Sequence, residues 1–186
     1  MNIAELKLSD ALEIARGSER VVYVHPENPS LCIKIRYQTK RSRNESEREF
    51  SYMQSLKKRM DISDLPFALP IEWVDTNLGC GLVCPLIKGE DGKIATNLAK
   101  DRTHPKLELL VDEFCRKLIS KKISVIDLVS GNLVIAYYQG REQVVMIDGF
   151  GFTNDFLKLL YHISPAITQR QTQRRVALLK KRFGFN

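Results

Sequence analysis

Three polar residues, Asp127, Asn132 and Asp148, stand where short apolar runs meet turns. Asp127 and Asn132 precede one apolar run, and Asp148 directly follows the next. The turn Gln139-Gly140 separates the two runs, a pattern typical of a β-hairpin. Carboxylate and amide oxygens suit Mg²⁺, and a carboxylate can also accept a proton. Phosphoryl transfer requires magnesium ligands and one positioned proton acceptor, so the spacing of these residues predicts a phosphoryl-transfer site.

A structural reading of the same segment stays open. Asp and Asn at strand ends are ordinary turn formers, and Asp-Gly is a common turn in any β protein. Gly131, Gly149 and Gly151 allow backbone conformations that a Cβ would resist, which suits a tight site and a plain turn alike. The hairpin by itself therefore does not decide between a metal site and a structural turn.

A lysine in an apolar run is the second feature that could do chemistry. Lys34 lies within Cys32-Ile33-Lys34-Ile35, where its neighbours favour burial and a bare ammonium would be costly to desolvate. The segment 42–59 has helical spacing and places Glu49 beside its apolar face. We therefore expect Glu49 to be the anionic partner of Lys34. The apolar residues on that face are Phe50, Met53 and Leu56.

Two alternatives apply to this predicted ion pair. Glu45 and Glu47 compete with Glu49, although both are offset from the apolar face. Lys34 could also lie on an edge strand and extend its ammonium to water.

The remaining patterns predict a chain of alternating strands and helices. In order they are a helix over 4–14, strands over 21–24 and 31–37, the helix 42–59, a loop over 61–70, strands over 71–75 and 80–87, a helix over 105–122, the hairpin, and helices over 154–162 and 169–183.

Composition limits the class of protein. The chain has 186 residues, 44% hydrophobic and 27% charged, as expected for one globular domain or two small lobes. It contains no apolar run near the roughly 20 residues of a membrane span and no apolar signal core, so we expect a cytoplasmic protein. Four scattered cysteines are interpreted as reduced core residues and not as a zinc site. They are Cys32, Cys80, Cys84 and Cys115.

The net charge of +7 suggests an anionic partner, such as a nucleotide, nucleic acid, anionic lipid or acidic protein. Basic residues are concentrated over 34–48 and over 170–182. The second run has a helical pattern and is interpreted as a solvated face, with nucleic-acid binding as the alternative.

Lys34, Glu49, Asp127, Asn132 and Asp148 occur in an order that resembles the protein-kinase signature. More narrowly, the chain resembles the YrbL family, small bacterial proteins of the PhoP regulatory network. Three stretches carry that resemblance: RVVYVHPENPSLCIKI, EREFSYMQSLKKR and DTNLGCGLVCPLIKGEDGK. The resemblance implies an α+β, minimal protein-kinase-like domain over 1–186. Its N-lobe, a small antiparallel sheet with one helix, spans 1–87, and a reduced, mainly helical C-lobe spans 88–186.

The kinase resemblance also implies residue roles. Asp127 accepts the proton of the acceptor hydroxyl, and Asn132 and Asp148 hold magnesium. Lys34, oriented by Glu49, binds the nucleotide phosphates. The nucleotide-binding positions also include Gly17, Pro85 and Ile87. The implied activity is transfer of the γ-phosphoryl group of ATP to an unidentified hydroxyl on a protein, sugar or lipid headgroup, in a magnesium-responsive or envelope-stress setting.

Several positions depart from the kinase pattern. Ala15 and Arg20 replace two glycines of the phosphate loop, and Val129 replaces the catalytic-loop lysine. Val125 and Ile126 stand where kinases have His and Arg before the catalytic Asp. These losses favour an alternative, a pseudokinase-like regulatory module that binds nucleotide without turnover.

Overall fold

The computed structural model describes residues 5–37, 44–151 and 165–185. These residues divide into two compact units. The first takes the described residues of 1–60 together with 68–86, and the second takes 61–67 and the described residues from 87 onward.

The described residues of the first unit form a five-stranded antiparallel sheet with one helix. Its strands are rich in β-branched and aromatic residues, which suit a pleated, half-buried surface. The strand order is β1-β2-β3-β5-β4. The elements are β1 Glu13–Arg16, β2 Arg20–His25, β3 Asn28–Arg36, helix α1 Glu45–Lys57, β4 Glu72–Thr76 and β5 Gly79–Pro85.

The two faces of this sheet carry different side chains, because successive residues of a strand point to opposite faces. One face is an apolar core. The other is a smaller apolar cluster, and Phe50 of α1 packs against it. The first comprises Leu8, Val21, Tyr23, Ile33, Ile35 and Val83; the second centres on Cys32, Leu82 and Cys84.

The predicted helix over 4–14 is wrong. Leu6 instead bridges to Thr76, a 3₁₀ turn occupies Asp10–Leu12, and β1 begins at Glu13. Asn77 explains the difference, because its side chain donates to the Leu8 carbonyl at 3.0 Å and accepts from the Leu8 N–H at 2.7 Å. Pairing with the β4–β5 turn therefore overrides local helical spacing.

The described residues of the second unit form two helices and a hairpin: α2 Leu107–Ser120, β6 Leu133–Tyr138, β7 Arg141–Met146 and α3 Pro165–Phe183. Gln139 and Gly140 have φ angles of 53° and 80°, as a two-residue hairpin turn requires. Phe67 stacks on Phe150 with ring centroids 5.4 Å apart. The segment 61–67 is thus built into the core of this unit, although it lies within the predicted N-lobe.

The predicted α+β class, with a small antiparallel sheet and one helix preceding a helical region, is confirmed. The helix predicted over 154–162 lies outside the described residues. Within 5–37, 44–151 and 165–185, no helix has both the length and the apolar character needed to cross a bilayer.

Candidate functional site

Lys34 lies in the middle of the sheet of the first unit. Its strand, β3, is paired on both sides, so that Lys34 is flanked by Val22 of β2 and Leu82 of β5. The residue is 5% exposed, and its Nζ lies 3.2 Å from Oε2 of Glu49, which is 3% exposed. The expected ion pair is present, and an edge-strand lysine reaching water is excluded.

Glu49 has a second cationic partner that the sequence analysis missed. Arg20 Nη1 and Nη2 donate to Glu49 Oε2 and Oε1, each at 3.0 Å. The same guanidinium also reaches Ser46 Oγ at 3.3 Å and Glu45 Oε2 at 3.5 Å. The available signal was the alternation of side chains along a strand. It puts Arg20 on the same face of β2 as Val22, and Val22 is paired with Lys34 of β3.

The cluster holds two buried cations against carboxylates of α1. Two buried cations, Arg20 and Lys34, face one buried carboxylate, Glu49. Glu45 adds negative charge from the rim, where its side chain is 30% exposed. Glu47 is fully outside the cluster on the exposed side of α1. Buried charges are tolerated here because each cation lies against a carboxylate.

Gly17 sits in the turn between β1 and β2. Its N–H donates to the Arg20 carbonyl at 2.8 Å, and its carbonyl accepts from the Tyr37 hydroxyl at 2.6 Å. A Cβ added at Gly17 would meet the Arg20 carbonyl at 3.6 Å, an ordinary contact. The Gly17 amide is thus engaged within a closed turn, unlike the open nests of amides that bind phosphate.

Pro85 and Ile87 lie on opposite sides of the boundary between the units, since the first unit ends at Leu86. The Pro85 carbonyl accepts from the Cys32 thiol at 3.9 Å. The Leu86 N–H donates to the Ser30 carbonyl at 2.9 Å, and the Ile87 carbonyl accepts from the Ala95 N–H at 3.0 Å. These bonds fix the backbone at both positions. A contact of either residue with adenine stays a prediction.

Asp127 of the second unit is exposed and its backbone is fixed. The N–H groups of Ile126 and Asp127 both donate to the Gly149 carbonyl, at 2.8 and 2.9 Å. Asn132 Nδ2 donates to the Asp127 carbonyl at 3.0 Å and lies 3.4 Å from the Asp127 carboxylate oxygen Oδ2. The hairpin thus brings Asp127 and Asn132 together, as their spacing predicted.

Asp148 follows β7 at the same open end of the hairpin as Asn132. Its Oδ1 accepts from the Gly149 N–H at 2.7 Å, and the N–H of the preceding Ile147 donates to the Asn132 carbonyl at 2.9 Å. Asn132 uses its amide nitrogen on Asp127, so the amide oxygen is the atom suited to a cation. A carboxylate and an amide oxygen on neighbouring backbones fit Mg²⁺, which prefers hard oxygen ligands and keeps several waters. No group of three or more His, Cys, Asp or Glu side chains that could hold a metal occurs in the described part of the chain.

Gly149 lies directly against Asp127 and Asn132. Its φ is 82°, and a Cβ there would lie 2.8 Å from both the Asp127 carbonyl oxygen and Asn132 Nδ2. Asp127 and Asn132 therefore pack directly on the glycine backbone. The predicted freedom at Gly149 is a steric requirement at this position.

The basic helix α3 is not simply a solvated face. Arg174 is exposed, but Arg175 is partly buried and donates through Nη1 to the Val125 carbonyl. Burial lowers the pKa of the Arg175 guanidinium, and the negative charge of Asp127 opposes that shift. Both arginines lie in the basic run 170–182, and helical spacing alone did not show which one packs inward.

Comparisons with known proteins agree with the sequence resemblance at the level of family. The model of the family described as PhoP regulatory network protein YrbL matches residues 6–184. No protein with a curated description matches the chain. Among solved structures, the kinase domain of PknI from Mycobacterium tuberculosis is similar at a TM-score of 0.47 and 13% identity, over 76% of this chain. The chain covers 58% of the length of that kinase domain.

Proposed function

The chain belongs to the PhoP regulatory network protein YrbL family, and from its site geometry we propose that it is an ATP- and magnesium-dependent phosphotransferase in a bacterial regulatory circuit. It transfers the γ-phosphoryl group of ATP to a hydroxyl. The observation that carries the proposal is the buried Lys34–Glu49 ion pair in the middle of the sheet.

Lys34 is assigned to the nucleotide phosphates. A lysine at the centre of an apolar sheet is retained against a large desolvation cost, which suggests a role beyond packing. Glu49 orients the ammonium at 3.2 Å, and Arg20 fixes Glu49 from its other side.

Asn132 and Asp148 are assigned to magnesium. Both offer oxygen atoms, and both are fixed by hydrogen bonds to the backbone around Gly149 and Asp127. Bound Mg²⁺ would neutralise charge on the phosphates during transfer. Holding these oxygens rigid is the contribution of the chain itself.

Asp127 is assigned to the acceptor hydroxyl. Its exposed carboxylate is oriented by Asn132 and is available to accept a proton from an incoming hydroxyl group. The acceptor is a protein side chain, a sugar or a lipid headgroup. We place the reaction in the cytoplasm, since its substrate is ATP and the chain carries free cysteines.

A nucleotide-binding module without turnover is the second candidate. The closed turn at Gly17 and the apolar Val129 favour it, because each removes a phosphate contact found in kinases. The two candidates share nucleotide binding and differ only in transfer.

The first test is thermal unfolding with ATP and magnesium. At 100 times its dissociation constant, a ligand adds ~2.7 kcal/mol of stability. We therefore expect the melting temperature to rise by about 5–10 °C for a chain of this size. Asp148→Ala should lose the magnesium-dependent part of the shift, whereas Arg174→Ala, on the exposed side of α3, should retain all of it. No shift at millimolar ATP would contradict both candidates.

Transfer is then measured with γ-labelled ATP, and Asp127→Asn is the discriminating variant. It keeps the size of the side chain but removes the proton acceptor. A phosphotransferase should lose labelled product while keeping the MgATP-dependent thermal shift. If the natural sequence binds MgATP and forms neither labelled acceptor nor ADP, the binding module is the correct function.

A further inference from the structure

Helix α3 contacts the segment that leads into Asp127. Thr172 Oγ1 donates to the Ile123 carbonyl at 2.9 Å, and Arg175 Nη1 donates to the Val125 carbonyl. The two carbonyls belong to residues two positions apart in one short stretch of chain. Two side chains one turn apart on α3 therefore hold the backbone immediately before Asp127.

Helix α3 is itself firmly anchored in the second unit. Val176 and Leu179 are buried, and Lys180 Nζ lies 2.8 Å from Asp112 Oδ1 of α2. Near the end of the helix, the Arg102 guanidinium lies 4.7 Å from the centre of the Phe183 ring. The helix is thus a fixed support for Arg175.

The Arg175 guanidinium reaches the Val125 carbonyl, two residues before Asp127, and the negative charge of Asp127 opposes the lowering of the Arg175 pKa by burial. The loop itself offers no cation near this point, because Val125, Ile126 and Val129 are all apolar. Arg174, the neighbour of Arg175, is exposed and makes no such contact within the described residues. The position of Arg175, and not the general basicity of α3, sets this interaction.

We propose that Arg175 is a positioning residue for Asp127. Its guanidinium fixes the backbone of 123–127 through the Val125 carbonyl and supplies, from a distant helix, positive charge beside a loop that lacks its own. The catalytic consequence rests on the proposed phosphotransferase function, whereas the positioning itself does not.

Hydrogen exchange tests the positioning without any need for activity. The Ile126 and Asp127 amides, bonded to the Gly149 carbonyl, report on the order of the segment. Arg175→Ala should speed their exchange, and Arg174→Ala should leave it unchanged. Unchanged exchange in Arg175→Ala would overturn the inference, whether or not the protein turns over ATP.

Steady-state hydrolysis of MgATP, with water as the acceptor, tests the consequence. Displacing a catalytic group by 1 Å can cost about 100-fold, so Arg175→Ala should lower kcat by up to about 100-fold with little change in KM for MgATP. Arg175→Lys keeps the charge and should recover part of the loss. Thr172→Val removes only the neighbouring anchor and should lower kcat much less.

An equal loss in Thr172→Val and Arg175→Ala, with no recovery in Arg175→Lys, would overturn the role of the charge. If the natural sequence shows neither a thermal shift nor hydrolysis with MgATP, the phosphotransferase function fails. Hydrogen exchange then still decides whether Arg175 positions the segment.

Discussion

Glu49 is the residue on which the charged cluster of the first unit depends, because it accepts hydrogen bonds from two buried cations. Removing one partner of a buried ion pair leaves a charge uncompensated and typically costs about 3–5 kcal/mol. Arg20 makes two of the bonds to Glu49, so Lys34 alone does not hold the carboxylate. Arg20 thus stabilises the Lys34–Glu49 ion pair.

Gly149 is a position in the second unit where a side chain would be strained and would meet neighbouring atoms. Gly149→Ala should lower the free energy of unfolding by about 2–4 kcal/mol, because a positive φ costs about 1–2 kcal/mol and the Cβ also meets atoms at 2.8 Å. Gly140→Ala is the matched control, since Gly140 has a φ of 80° and nothing within 4 Å of its Cβ. Urea unfolding of both variants isolates the steric part. Equal losses would mean that Asp127 and Asn132 do not pack on Gly149 as described.

At the scale of elements, α1 sets the position of Glu49. The helix begins after Asn44, whose side-chain oxygen accepts from the N–H groups of Ser46 and Glu47 at 3.0 and 3.4 Å. Tyr52, Met53 and Leu56 bury the inner face. The cap fixes where the first turn starts and therefore which residues of α1 meet the sheet.

Asn44→Ala should destabilise the protein by about 1 kcal/mol, the usual cost of losing an N-cap, and lower the melting temperature by about 2–4 °C. Asn44→Asp keeps the acceptor oxygen and places negative charge at the N-terminus of the helix, so it should be neutral or stabilising. Thermal unfolding of both variants checks this. A loss of equal size in Asn44→Asp would show that the acceptor oxygen is not what matters.

At the scale of the whole molecule, burial of the thiols reports on the cores of both units. Cys32 and Cys84 lie in the first unit and Cys115 in the second, and all three are buried. Burial raises the pKa of Cys84 and of Cys115 to about 12. Cys80 is exposed, so the prediction that every cysteine is a core residue is wrong for Cys80. Cys80 lies near the start of β5 and is paired with Asp75 of β4.

In the native protein, exposed Cys80 should react with a thiol reagent at pH 8 faster than the other cysteines, although partial burial and Asp75 raise its pKa, and the three buried cysteines should react only after unfolding. A raised pKa means that the folded state holds the thiol proton more tightly. This stabilisation is complete below pH 9 and is lost as pH rises from 9.0 towards 12. Mass spectrometry with and without denaturant counts the labelled sites, and Cys80→Ser should abolish the fast reaction. Fast labelling of Cys84 would contradict the packing of the first unit.

The sequence by itself determined the α+β class, most strand and helix positions, and the pairing of Lys34 with Glu49. These follow from local rules. Apolar periodicity distinguishes strands from helices, and a lysine among apolar residues needs a nearby carboxylate on an apolar helix face. The closeness of Asp127, Asn132 and Asp148 was likewise readable, because a two-residue hairpin turn brings the ends of its strands together.

The tertiary structure alone decided the remaining features. It showed that Arg20 donates two hydrogen bonds to Glu49. It also showed that Arg175 packs inward while Arg174 is exposed, and that 61–67 belongs to the second unit. It also replaced the predicted N-terminal helix with pairing at the β4–β5 turn. Each of these depends on contacts between residues far apart in the chain, which local propensity does not determine.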